Sequence, residues 1–500
     1  MTGHDVYLLS PELSLVAVAL LVLFADFVLK DRRALPAIVL VGLGVTVALT
    51  IVLWIDLDTG ATSMTGVFGT LVVDKFSLFF KFLLVGIMAI VVLMSTGYIR
   101  RFESLRAEYF ALILFSLSGM MLLASTLELV TIYIALELTA LPLAALIALA
   151  GSSRSSEAGI KFLILSAISS ALLLYGMVWT YGFTGSTDLG EIARSILGST
   201  DATQPFGGYA ILLGVVFIIA GFGFKISTVP FHMWVPDVYE GAPTPITAFL
   251  SVASKAAGFA VILRVFYIAF PETSVSMEWS AVFAVLAIMS MTLGNFVAVA
   301  QKNMKRLLAY STIAHAGYIM VGLAAIAARD TSSGGADGPA GVLFYLVGYA
   351  ATNLAAFAAV IAISNRVGSD KITDFAGMGR RSPWLGGALA FALISLTGIP
   401  PTVGFMVKLN IFSAAASSGL SWLVLAGTLS SVVSAYYYMR VVKVMYLSDP
   451  VGDKPAVTDR PLQIALGLTT AALLFFGIYP TPLIRMATTA AEVFSAVPVG

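Results

Sequence analysis

The chain has 500 residues, 59% of them hydrophobic and only 11% charged, with a mean hydropathy of +0.97. Soluble domains carry about 25% charged residues, so this composition describes a polytopic membrane protein. A net charge of +1 without a long basic run argues against a nucleic-acid partner, and the absence of cysteine excludes disulfides, thiolate zinc sites and cysteine-ligated iron–sulfur clusters within the chain.

Allowing about 20 apolar residues per span, the sequence predicts an all-α protein of about fourteen transmembrane helices. The first residues, MTGHDVYLLSPELS, lack a basic n-region and read as the flank of a retained first span, not a cleaved signal. In chain order the predicted cores are 11–29, 36–54, 75–98, 108–125, 127–149, 158–181, 208–229, 245–269, 280–300, 304–327, 339–363, 385–412, 420–442 and 461–487. Lys and Arg collect in cytoplasmic loops, and here they fall in alternate loops. These hold Lys30, Arg32 and Arg33; Arg100, Arg101 and Arg106; Arg154 and Lys161; Lys302, Lys305 and Arg306; Arg366, Lys371, Arg380 and Arg381; and Arg440, Lys443, Lys454 and Arg460. Only Lys75, Arg194, Arg329 and Arg485 lie on the other side, with Asp56, Asp58, Asp201 and Asp330. Both termini are therefore expected on the outer face. The loop of His232, Asp237 and Glu240 has no basic residue and is assigned inward by alternation alone. No low-complexity linker divides residues 1–500, which read as one membrane domain; the outer loops near 182–207 and 328–340 read as solvated connectors.

Four charges fall inside predicted spans. Each costs at least about 2.5–3.5 kcal/mol near a bilayer centre, so together they imply an interior ion path. Glu137, in IYIALELTALPL, lies about ten residues into its helix with Pro142 five residues on. Lys225 precedes Pro230 by five residues; a proline removes one backbone donor and frees the carbonyl four residues earlier, at Ile226. Lys255 lies deep in its helix among Ala253, Ser254, Ala256, Ala257 and Gly258, and small neighbours leave room for close packing and water. Lys408 follows Pro400 and Pro401 by two turns, closer to the outer face. The plainer readings are a polar interhelical contact for Glu137, a static ion pair for Lys255, and snorkelling to the headgroups for Lys225 and Lys408. His315, mid-helix in LLAYSTIAHAGYIMVG, can carry a proton near neutral pH or merely pack by a hydrogen bond. Glu157 and Lys161 form an i,i+4 pair, His232 reads as a cap or mouth residue, and Asp26, Asp74, Lys81, Glu128 and Arg264 read as snorkelling or capping groups near span ends. KISTVPFHMW and LTGIPPTVGF each set a proline break near a lysine, a paired interruption that suggests an internal repeat with ion sites at its breaks. No nucleotide loop, haem or cluster motif, or hydrolytic triad accompanies them, so the driving energy must come from elsewhere.

The segments VDKFSLFFKF, IYIALELTALPL, KISTVPFHMWVPDVYEGAPTPITAFLSVASKAAGF, QKNMKRLLAYSTIAHAGYIMVG and LTGIPPTVGFMVKLNIF strongly resemble the antiporter-like subunits of respiratory complex I. That superfamily also holds subunits of cation/proton antiporters and membrane-bound hydrogenases. The likeness is greatest to the N-type members, since L-type relatives continue into a long lateral helix and M-type ones carry glutamate where Lys408 stands. The resemblance implies two inverted five-helix repeats, near 108–269 and 280–442, with broken helices holding Lys225 and Lys408 and peripheral helices at 11–98 and 461–487. It implies that Glu137 and Lys225 form a coupled pair, that Lys255 joins the halves, and that Lys408 exchanges protons in the second; His315 is a softer carry-over. It further implies a bacterial plasma membrane location, neighbouring antiporter-like and small membrane subunits and lipids as partners, no cofactor in this chain, and FMN, iron–sulfur clusters and quinone in partner subunits. Two rival readings are a subunit of a cation/proton antiporter without a redox partner, and a purely structural subunit whose charges staple helices.

Overall fold

Inside a bilayer no water is at hand for backbone amides, so a chain this apolar must pair them within helices. The computed structural model describes residues 2–28, 34–60, 62–101, 105–198, 205–271, 273–325, 337–450 and 458–494. Among these residues eleven helices are long and apolar enough to cross a membrane, and shorter apolar helices at Ile211–Ile226, Pro383–Thr397 and Val403–Ser417 complete the set with Ser421–Leu447. The all-helical polytopic class is as expected. Lys30, Arg32, Arg33, Asp201, Arg329, Asp330 and Lys454 of the charge-asymmetry argument lie outside the described residues.

Three departures have local causes. The expected helix 385–412 is two, Pro383–Thr397 and Val403–Ser417, because Pro400 and Pro401 offer no amide to the preceding turn. The expected helix 461–487 stops at Ile478; Thr481–Ala491 follows as a separate helix after Pro480. A two-stranded antiparallel hairpin, Ser63–Gly66 with Leu71–Asp74, interrupts the all-α plan.

Burial sorts the helices into layers. Nearly every residue of Thr244–Ala269, Met304–Ala324 and Gly338–Val367 is buried, whereas most residues of Ser10–Val28, Leu35–Thr59 and Arg460–Ile478 are not. The three central helices carry Lys255, His315 and a set of tyrosines, so these groups face protein and not lipid. Helices Thr273–Val299 and Met304–Ala324 touch through glycine: a Cβ on Gly294 would stand 2.7 Å from the Ala314 amide nitrogen, and one on Gly317 2.8 Å from the Ala287 carbonyl. Two π-helical stretches, Leu250–Ser254 and Val265–Ala269, flank Lys255–Arg264 on the most buried helix, and such bulges recur at functional sites.

Asp74 and Glu128 cap helices as expected, accepting from the backbone amides of Ser77 and Thr131. Arg264 and Lys81 do not snorkel. The Arg264 guanidinium is fully buried, bonded in bidentate fashion to Asp74 at 2.7 Å and 2.7 Å, to the Ala124 carbonyl at 3.1 Å, and stacked over Phe76 at 4.6 Å. Lys81 is buried against Glu12 at 2.8 Å, tying the Lys75–Tyr98 helix to Ser10–Val28. Glu157 and Lys161 pair at 2.7 Å, but Lys161 also reaches Asp237 at 2.9 Å. Asp237 and Glu240 together engage Arg306 and Arg154, so the acidic loop without basic residues shares one face with two basic loops. Burial opposes charge on Asp237, yet hydrogen bonds from Lys161 and Arg306 hold its carboxyl below its ordinary range.

Removing one member of a buried ion pair strands the other charge and costs about 3–5 kcal/mol. Arg264→Met should therefore lower the melting temperature of the purified assembly markedly. The double variant with Asp74→Ser, which retains a capping hydroxyl, should recover most of that loss, as a thermal fluorescence melt would read.

Candidate functional site

The first break follows Pro205–Ile226. Pro230 cannot donate to the Ile226 carbonyl one turn earlier, and the structure supplies another donor: Lys255 Nζ, from a neighbouring helix, at 3.2 Å. The same ammonium bonds the Thr312 carbonyl at 2.7 Å. Other groups in the break are also satisfied, Val229 N donating to Ser290 Oγ at 3.0 Å and Trp234 Nε1 to the Phe224 carbonyl at 3.0 Å. Lys225, at the buried end of the broken helix, donates to Ser166 Oγ at 3.2 Å. Glu137 Oε1 accepts from Ser170 Oγ at 2.5 Å. Ser166 and Ser170 lie one turn apart on Ser153–Thr184, and no ion pair joins Glu137 to Lys225. The expected pair is thus not a contact pair; its members sit on serines one turn apart.

The second break repeats the arrangement. Pro400 and Pro401 leave the carbonyls of Leu396 and Thr397 without their helical donors, and Lys408 Nζ bonds both, at 3.2 Å and 2.9 Å. Its third bond goes to Ser431 Oγ at 3.1 Å, and it lies 4.4 Å from the centroid of the Tyr318 ring. Sequence reasoning matched Lys225 with Lys408; the lysines that occupy proline-freed carbonyls are Lys255 and Lys408.

Hydroxyls and rings fill the space between. His315 Nδ1 is 2.8 Å from the Tyr345 hydroxyl, and its ring lies 5.0 Å from Tyr349 and 5.6 Å from Tyr318. Tyr349 Oη donates to Thr312 Oγ1 at 3.0 Å, and Asn353 Nδ2 donates to Tyr349 Oη at 3.1 Å. On the far side Ser431 Oγ donates to Tyr318 Oη at 3.3 Å, as does Asn295 Nδ2 at 3.1 Å. Lys255, Thr312, Tyr349, His315, Tyr318 and Lys408 therefore follow one another through the protein, the first step through the Thr312 backbone carbonyl, the middle ones through ring contacts and the last through Ser431 and the Tyr318 ring face, while Glu137 and Lys225 form a separate group across the first break. The tyrosines were missed from sequence, although a signal exists: Tyr345, Tyr349 and Asn353 recur every four residues on one helix face, as His315 and Tyr318 do at three. The assembled groups are all proton donors or acceptors, and no cluster of three or more metal-ligating residues occurs among the described residues.

Comparison with known proteins gives a consistent picture. The family described as NADH:quinone oxidoreductase/Mrp antiporter, transmembrane, matches residues 126–434. The NADH-quinone oxidoreductase subunit N of Dehalococcoides mccartyi is 42% identical over 487 residues, covering 97% of this chain and 99% of that one. A chain of respiratory complex I from Thermus thermophilus superposes with a TM-score of 0.77 at 31% identity, covering 95% of this chain and 98% of that one. A chain of the Mrp complex from Dietzia has a TM-score of 0.84 at 19% identity, covering 99% and 98%, a likeness of fold alone.

Gly404, at the start of the Lys408 helix, sets a limit on the second break: a Cβ there would stand 1.8 Å from the Ser395 carbonyl oxygen. Gly404→Ala should displace the helix and release Lys408 from its carbonyls. A sharp fall in the yield of assembled protein on size-exclusion chromatography is expected, against little change for Gly44→Ala, whose Cβ meets nothing within 4 Å.

Proposed function

The chain belongs to the subunit N family of NADH-quinone oxidoreductases, the antiporter-like membrane subunits of complex I, and we propose that Glu137, Lys225, Lys255, His315 and Lys408 are the groups on which it moves protons. The observation that carries this reading is the buried run of hydroxyls, phenols and an imidazole that lies between the lysines at the two helix breaks. Quinone reduction occurs in partner subunits, which carry the FMN and iron–sulfur chemistry this cysteine-free chain lacks. A conformational or electrostatic signal from there alters the separation of Glu137 and Lys225. Widening two unit charges from about 5 to about 10 Å at an effective dielectric of about 20 removes about 2 kcal/mol, more than tenfold in proton affinity. The two serines make that separation adjustable, since each charge can leave its hydroxyl without breaking a direct ion pair. The released proton passes to Lys255 and onward through His315 and the tyrosines to Lys408.

The breaks at Pro230 and at Pro400 and Pro401 support two inverted repeats near 108–269 and 280–442. Both termini face outward in a bacterial plasma membrane, and neighbouring membrane subunits and lipids cover the peripheral helices. The cation/proton antiporter reading is disfavoured by identity, 42% to the subunit N relative against 19% to the Mrp chain.

In the intact complex, Lys225→Ala should abolish proton pumping in proteoliposomes with assembly largely preserved. Ser166→Ala and Ser170→Ala should slow it several-fold. A well-assembled Lys225→Ala complex that pumps at the normal rate would sink the mechanism.

A further inference from the structure

A cavity of about 690 Å³ opens on the face where the basic loops gather, and the charges in its wall do not balance. Arg154, Lys302, Lys305 and Lys371 stand there against two carboxylates, Glu240 and Asp370. Both carboxylates are already engaged: Glu240 pairs with Arg154 at 3.3 Å and with Arg306 at 3.0 Å, and Asp370 lies 3.8 Å from Lys305 Nζ. Lys302 and Lys371 form no ion pair among the described residues, yet the backbone clamps their two loops together. Ile372 N donates to the Lys302 carbonyl at 2.9 Å and Met304 N to the Asp370 carbonyl at 2.8 Å, on either side of an antiparallel bridge between Asn303 and Lys371. Cations held on clamped loops repel one another unless an anion joins them.

Two further polar groups line the same space with bonding capacity left over. Lys305 is only 4% exposed, and of the three donors on its ammonium one is used among the described residues, on the Ala242 carbonyl at 3.0 Å. The hydroxyl oxygen of Ser364, near the end of the Asp337–Val367 helix, is buried without a hydrogen-bond partner. Native interiors seldom leave such a group unpaired, and one that is left so calls for an explanation. Tyr98, the last residue of the Lys75–Tyr98 span, lines the cavity as well, and a tyrosine at a span end marks the depth of lipid headgroups.

We propose that this cavity is a binding site for a phosphate oxyanion, an inference independent of the lysine path proposed above. A phosphate group carries one or two negative charges and several acceptor oxygens. Those charges match the excess of cations in the wall, and the oxygens match the free N–H groups of Lys305 and the unpaired Ser364 hydroxyl. Lys302 and Lys371, both exposed, guard the mouth, while Lys305 waits at the buried end. Basic pockets between spans hold phosphate headgroups in this way. At headgroup depth the group has two sources, the phosphodiester of an anionic phospholipid and free inorganic phosphate, and both present the same oxygens.

The test uses the intact complex, purified and stripped of loosely held lipid by detergent exchange. Binding of radiolabelled orthophosphate is followed by equilibrium dialysis, and retained phospholipid is counted by extraction and mass spectrometry. The double variant Lys302→Gln, Lys371→Gln should weaken saturable phosphate binding about tenfold or more, or release one anionic phospholipid per complex. Ser364→Ala should weaken the same reading several-fold, and it serves as the independent probe if the double variant assembles poorly. Loss of phosphate binding alone assigns free phosphate, and loss of the lipid alone assigns the headgroup; loss of both assigns a site that takes either. Arg366→Gln with Arg380→Gln removes two exposed charges from the same connecting segment, outside the cavity wall, and should change neither reading. Parental phosphate binding and lipid content in both the lysine double variant and Ser364→Ala overturn the proposal. So does an equal loss in the arginine control, which would make the attraction a property of the whole basic face.

Discussion

A carbonyl without an amide and an ammonium without a counter-ion are each costly in a membrane interior, and in this protein each relieves the other. Pro230 strands the Ile226 carbonyl; Pro400 and Pro401 strand those of Leu396 and Thr397. Lys255 and Lys408 donate to the stranded groups. Without the breaks, Lys408 would lose both of its carbonyl partners and Lys255 one of its two; without the lysines, the broken helices would end on bare backbone. Carbonyl oxygens stabilise an ammonium ion but leave a neutral amine tolerable, which a carboxylate partner would not. The pairing thus secures the fold without locking the protonation state.

Much of this was legible in the chain. Hydropathy gave the spans because satisfying the backbone inside a bilayer allows little but helices, and the buried charges stood out because their cost makes them rare. The freed Ile226 carbonyl could be named from Pro230 alone, since the rule acts over four residues. Its partner could not: Lys255 is 29 residues away, and the contact depends on how two helices cross. Arg264 and Asp74 are separated by 190 residues, and each taken singly reads as a span-end residue. The serines beside Glu137 and Lys225 were invisible for a further reason, since Ser in a membrane helix ordinarily bonds its own backbone.

The layering also explains why central helices carry the chemistry and peripheral ones carry almost none. A helix buried on every side can hold a lysine, a histidine or a phenol at any position where a neighbour offers an oxygen. One that faces lipid over most of its surface has only a narrow stripe for such groups, and on Ser10–Val28 that stripe holds Glu12, already paired with Lys81. Glycines at 294 and 317 tighten the central layer further, drawing the His315 helix against its neighbour.

Neither Lys255 nor Lys408 has a carboxylate within ion-pair distance among the described residues; their partners are dipoles. Each proton they take up on the proposed path is consequently net charge introduced into the low-dielectric interior, uncompensated by a nearby anion. A charge crossing the full membrane does work of about 2.3 kcal/mol per 100 mV, and one stopping part way does a proportionate share. On the proposed path the occupancy of these lysines is set by transmembrane voltage as well as by proton concentration, and an energised membrane acts back on the chain through the same two residues that hold its broken helices together.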